Sequence, residues 1–189
     1  MPDINSVPIV LGTHIKRLFL KNSNQSSNNN FSKRVFIIGP SHHFYLKICA
    51  LTMCDRLNTP IGDLVVDRKI IDELLVNKNE FRVVDKISDE KEHSLEMQFP
   101  FLAHIFKDCD QVTFVPIIVG SLNEPQRSSV ANILSKYFCD RETLFIISSD
   151  FCHWGNSFDY CPYDKSFGDV SQYIRSLDHD VSNLFFTKN

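Results

Sequence analysis

The sequence predicts an α/β domain: a mostly parallel central sheet flanked by helices. Three observations lead there. Short β-branched runs alternate with stretches whose apolar residues recur every three or four positions. These strand-like runs close on turn-forming residues such as Gly39-Pro40. The balance of 43% hydrophobic and 23% charged residues is that of a globular chain, with 16 Phe as core material.

Along the chain, Met1 to Gly12 is apolar but short. It carries Asp3 and lacks a basic start with a small-residue cleavage site, so it reads as a poor signal peptide. Val7 to Leu20 is a short apolar segment. Asn22 to Ser32, rich in Asn and Ser, cannot bury enough surface to offset chain entropy, so a linker is expected there. The organisation is therefore a divergent N-terminal segment with its linker, residues 1–32, and an α/β domain over residues 33–189.

Within that domain, Arg34 to Ile38 is a buried strand, and Leu46 to Met53 is a weaker one. Asp67 caps a helix carrying Ile70, Ile71, Leu74 and Leu75 on one face. Asp89 to Glu92 resembles a capping box opening the next helix, which Pro100 must kink or restart. Val112 to Val119 is a strand, and Pro116 argues for an edge position or a bulge. Asn123 begins a helix with Val130, Ile133, Leu134 and Tyr137 on one stripe, and Thr143 to Ser148 is another buried strand. Phe167, Val170, Ile174, Leu177, Val181 and Leu184 mark a long amphipathic helix, whose stripe is still open at Leu184-Phe185-Phe186.

Composition excludes several roles. The net charge of -3 offers no basic field for nucleic acid or anionic lipid. No apolar run is long enough for membrane insertion as a spanning helix. Six Cys without a Cys-x-x-Cys pair read as free thiols in a reducing, cytoplasmic setting, most of them buried as small hydrophobes. Dinucleotide and phosphate-loop glycine motifs, the Gly-x-Ser-x-Gly elbow and the His-Glu-x-x-His helix are missing.

Two buried strands run into reactive residues: Gly39-Pro40-Ser41-His42-His43 and Ser148-Ser149-Asp150-Phe151-Cys152-His153-Trp154-Gly155. In open α/β sheets, ligands bind beyond such carboxyl ends. With Glu92-His93-Ser94 at a helix start, these places collect His42, His43, His93, His153, Asp150 and Glu92. Taken singly, each is an ordinary hydrogen-bonded residue. Together, imidazole, carboxylate and thiol suit a first-row transition metal. One helical turn would put Asp150 and His153 on one side. Extended backbone keeps adjacent His42 and His43 from both pointing inward, so one ligand and one supporting residue are expected.

These stretches, with Glu92 to Met97, Pro116 to Gly120 and Asp63 to Asp67, resemble the MEMO family from Lys33 to Leu184. The resemblance implies a fold similar to the extradiol, non-haem iron dioxygenases. It implies a pocket that binds copper or iron, and redox signalling in cell motility. It also implies protein partners, among them phosphotyrosine-bearing receptor peptides. By the same resemblance His42 is the metal ligand, and His43, His93, Asp150 and His153 line the pocket. The family's other ligands, a His in a Pro-His-Ala-Gly-Tyr motif and a Cys near the C-terminus, have no counterpart here. The expectation is a chain truncated at both ends that binds metal and partners without turnover. The alternatives are an active extradiol-type dioxygenase, a metal-independent phosphopeptide adaptor, or a fragment without function.

Overall fold

The computed structural model describes residues 9–10, 34–140 and 142–186, with side chains over 34–140 and 142–181. The expected linker and the N-terminal segment, Ile9 and Val10 excepted, lie outside the described residues. The structure divides into two compact units, one through Ser148 and one from Ser149.

The first unit is built on a six-stranded sheet. Its strands are β1 (Ile9–Val10), β2 (Arg34–Pro40), β3 (Cys49–Leu51), β6 (Phe81–Val83), β7 (Thr113–Val119) and β8 (Thr143–Ile147). A separate antiparallel pair joins β4 (Arg56–Leu57) to β5 (Leu64–Val65). The spatial order is β1-β8-β2-β7-β3-β6. Every neighbouring pair is parallel except β3 with β7. The predicted fold class is the observed one.

Strand alternation sorts the core into two layers. Val35 and Ile37 of β2 and Leu144 and Ile146 of β8 face one way. There they pack with Leu95 of α3 (His93–Glu96) and with Leu102, Ala103 and Phe106 of α4 (Phe99–Phe106). Phe36 and Phe145 face the other way. They meet Ile70, Ile71 and Leu74 of α1 (Arg68–Leu75) and Val130, Leu134 and Tyr137 of α5 (Glu124–Phe138). Helices thus cover both faces, as a parallel sheet requires. On the second face Phe36 stacks on Phe145 at 4.7 Å between centroids, and Phe138 stacks on Phe145 at 3.8 Å. At the N-terminal ends of the strands Arg34 reaches Asp67 at 3.3 Å and Asp140 at 3.4 Å. Asp67 also accepts from Thr113 and caps α1 through the Ile70 N–H.

The expectations for Pro100 and Asn123 hold, while those for Pro116, the Asp89 capping box and the burial of the cysteines are corrected. β7 is interior, between β2 and β3, although it contains Pro116. Val119 accepts from Ser41 on the β2 side, whereas Phe114 accepts from Asp67 on the other flank. Alternation puts the Pro116 nitrogen on the flank of Phe114. β3 pairs only up to Ile117, so no ladder bond asks for the missing N–H. The capping box at Asp89 is not formed. Asp85 caps α2 (Lys86–Lys91) through the Ser88 N–H, and Glu92 caps α3. Pro100 restarts the chain as the second residue of α4, where no intrahelical N–H bond is lost. Asn123 caps α5 with a reciprocal Gln126 capping box. Among the cysteines, all free, only Cys49 is buried; Cys139 and Cys161 are exposed. Burial pushes the Cys49 thiol up to about 12, so it stays protonated at neutral pH.

The second unit holds a short loop closed by the Gly155–Tyr160 bridge and α6 (Val170–Phe186). No helix among the described residues is long and apolar enough to cross a membrane.

The stacked phenyl layer generates a stability prediction. Phe145→Ala should cost about 3–5 kcal/mol, because it opens a cavity between two stacked rings. Val83→Ala on the partly exposed face of β6 should stay within about 0.5 kcal/mol. Urea unfolding followed by circular dichroism separates the two.

Candidate metal centre

β2 and β8 run parallel, with Ile38 opposite Ile147, so both deliver their carboxyl ends to one end of the sheet. At Pro40 the chain leaves β2 and turns through Ser41, His42 and His43. α3 packs directly on this exit. Ser94 Oγ donates to the Pro40 carbonyl at 2.7 Å, and Leu95 lies against Gly39. A Cβ on Gly39 would meet Leu95 Cδ2 at 2.8 Å and Ser94 Oγ at 3.0 Å. Glycine here permits the close approach that brings the start of α3 to the histidine turn.

The residue that joins them is Glu92. Its carboxylate is 1% exposed. Oε2 accepts the backbone N–H of His42 at 2.6 Å and of His43 at 3.4 Å. Oε1 accepts the N–H of Ser94 at 3.1 Å and faces His42 Nδ1 at 3.2 Å. His93 Nδ1 stands 3.8 Å from the same oxygen. Burial by itself would raise the Glu92 pKa. The N–H groups of His42 and Ser94, the His42 imidazole and the His43 N–H outweigh it and lower the pKa to about 2. The group is therefore a fixed negative charge at neutral pH.

Around it the imidazoles gather. His42 and His93 have ring centroids 4.7 Å apart, and His93 meets the edge of His43 at 5.3 Å. His93 Nδ1 and His43 Nε2 are 3.3 Å apart, so one donates and the other accepts. Both adjacent histidines therefore turn to His93. The chain is no longer a strand at this point, and strand alternation does not separate them. Donor atoms of His42, Glu92 and His93 all lie within 4.8 Å of one another. Two imidazoles and a carboxylate at that spacing are a group that could hold a metal ion.

Beside this group is a cavity of about 230 Å³, bordered by Glu92, Asp89, Arg56 and Cys54 over an apolar floor of Leu57, Leu95 and Phe99. It is smaller than most small-molecule sites, which start at about 300 Å³.

Asp150 and His153 belong to the second unit. They approach to 3.9 Å without a helical turn between them, and both are more than half exposed. His153 also packs on Phe158 at 4.8 Å. Trp154 donates to the Pro162 carbonyl at 2.7 Å, and the Cys152 N–H donates to Asp178 at 2.8 Å.

Residues 21–189 match the family model described as Memo-like protein. The chain belongs to the Memo family. It is 47% identical over 158 residues to the Caenorhabditis elegans protein memo-1 homolog, covering 83% of this chain and 45% of that one. It is 44% identical over 148 residues to Protein MEMO1 of Xenopus laevis, covering 78% and 50%. To Protein MEMO1 of Homo sapiens it is 41% identical over 150 residues, covering 79% and 50%. The chain thus spans about half the length of the Memo relatives it matches.

Among the residues singled out in the sequence, the Memo fold brings His42, His43 and His93 together and pairs Asp150 with His153. What sequence reasoning missed is the central place of Glu92. Its signal was available: an acidic residue just before a helix start acts as a cap, and here the same carboxylate also caps the turn opposite.

Glu92 ties stability to pH. Its folded pKa lies below the unfolded value of about 4.3. Its stabilisation is therefore complete above that value and is lost as pH falls towards about 2. Glu92→Gln should lower stability at pH 7 by about 2 kcal/mol, since an amide nitrogen then faces backbone donors. It should also flatten the loss of stability between about pH 4 and 2. Denaturation of both proteins across pH 2–7 checks this.

Proposed function

We propose that this chain is a metal-binding Memo protein that holds copper or iron through His42 and His93, beside the Glu92 carboxylate. The single observation that carries the reading is the convergence of these three donor groups within 4.8 Å at the carboxyl end of β2. Neutral imidazole serves copper and iron alike. When bound, either metal would supply one-electron redox chemistry. The chain's own residues would fix the imidazoles in place and shelter the charge. His43 steadies His93 through the 3.3 Å nitrogen contact.

In this reading the protein acts in the cytoplasm, in redox signalling linked to cell motility, through protein partners that include phosphotyrosine-bearing receptor peptides. Supporting it is membership of the family to which Protein MEMO1 belongs. The activity is binding and not turnover.

A second reading draws on the donor set itself. Two histidines and one carboxylate with open positions form the facial triad of non-haem Fe(II) oxygenases. An extradiol-type dioxygenase would consume oxygen when given Fe(II) and a catechol. No oxygen uptake under anaerobic Fe(II) loading followed by aeration would set this reading aside.

The metal reading is tested on the purified chain. Copper and iron content by plasma mass spectrometry should fall at least tenfold in His42→Ala, with the circular dichroism spectrum unchanged. Equal metal content in the variant would reject His42 as a ligand. Retained phosphopeptide binding in His42→Ala with chelator would separate the adaptor role from the metal.

A further inference from the structure

We infer that Glu92 is a positioning residue that holds His42 in the Nδ1–H tautomer, so that Nε2 carries the lone pair offered to a metal ion. The inference rests on the metal reading above and specifies which atom of His42 serves it.

An ionised carboxylate can only accept hydrogen bonds. Glu92 Oε1 stands 3.2 Å from His42 Nδ1, so a neutral His42 bonded there must carry its proton on Nδ1. A neutral imidazole has one N–H, which leaves Nε2 unprotonated. Metal-binding histidines commonly donate their other ring N–H to a carboxylate in this way. Nothing in the arrangement lets Glu92 rotate away. Its second oxygen is bound by the His42 and His43 N–H groups, and Oε1 is also bound by the Ser94 N–H. The carboxylate is thus anchored to the same turn whose imidazole it orients. Serving as a third ligand would require the ion to displace the His42 bond from an oxygen that Ser94 already occupies.

His93 is set differently. Its Nδ1 is 3.8 Å from Glu92 Oε1, too far for a hydrogen bond, and 3.3 Å from His43 Nε2. Glu92 therefore controls the tautomer of one histidine of the pair, and His43 the orientation of the other.

The test uses the whole chain labelled with ¹⁵N-histidine and read by long-range proton–nitrogen correlation. In the metal-free protein His42 should show the Nδ1–H tautomer. Zn(II), as a diamagnetic probe, should shift Nε2. Glu92→Gln should mix the tautomers and weaken Zn(II) binding about 10–100-fold. Ser94→Ala, which removes the hydroxyl bond to Pro40 and leaves the imidazole bond, should keep the wild-type tautomer. An Nε2–H tautomer in the wild type overturns the proposal, and so does a Zn(II) coordination shift on Nδ1, the nitrogen whose proton Glu92 is proposed to hold. The wild-type spectrum decides this even if Glu92→Gln fails to fold. An Nδ1–H tautomer without any Zn(II) response would uphold the positioning of His42 and overturn the metal reading instead.

Discussion

A carboxylate taken out of water must find donors, and Glu92 finds them in the backbone of two segments at once. One is the turn that leaves β2; the other is the first turn of α3. Segments 50 residues apart in sequence are joined by charge-assisted bonds at 2.6–3.4 Å. Bonds to a charged acceptor are worth about 1.5–3 kcal/mol each when buried partners would otherwise be orphaned. The joint also decides chemistry. The carboxylate that satisfies the turn is the one that faces the His42 imidazole, so folding the turn and orienting the ring are the same event.

The two ends of the sheet are built for different ends. At the amino ends of β2, β7 and β8, Arg34, Asp67, Thr113, Asp140 and Thr143 bond to one another in a part-buried polar cluster. At the carboxyl end, the His42 ring meets the Glu92 carboxylate, the His93 ring lies beside both, and the His43 ring meets His93; all three histidines are exposed. The first end ties strands to α1. The second brings imidazole and carboxylate donor atoms to within 4.8 Å of one another, the kind of grouping a metal site needs.

Family membership bears on this end of the sheet. The matched stretch covers about half of each Memo relative, and it contains the whole of the His42, Glu92 and His93 group. Gly39 belongs to the same constraint, because any side chain there would push α3 and Glu92 away from the histidine turn. A small residue, a cap and a pair of histidines therefore act as one unit.

Most of the architecture was legible in the sequence. β-branched runs and helical stripes are local patterns, and the strands and helices they mark were largely found. Asp67 and Asn123 capped the helices assigned to them, because capping depends on the next three residues alone. His42, His43 and His93 were also legible as a chemical set. Three things were decided only by tertiary structure. Pro116 sits in an interior strand because β3 happens to end beside it, which no property of Pro116 reveals. Asp89 lost the capping role to Asp85 and Glu92, since Asp89 accepts from the buried Thr52 hydroxyl instead. Glu92 became the centre of the site because a partner 50 residues away supplied its donors. Residue types and periodicity are written along the chain; which buried charge meets which backbone depends on how the strands are ordered in space.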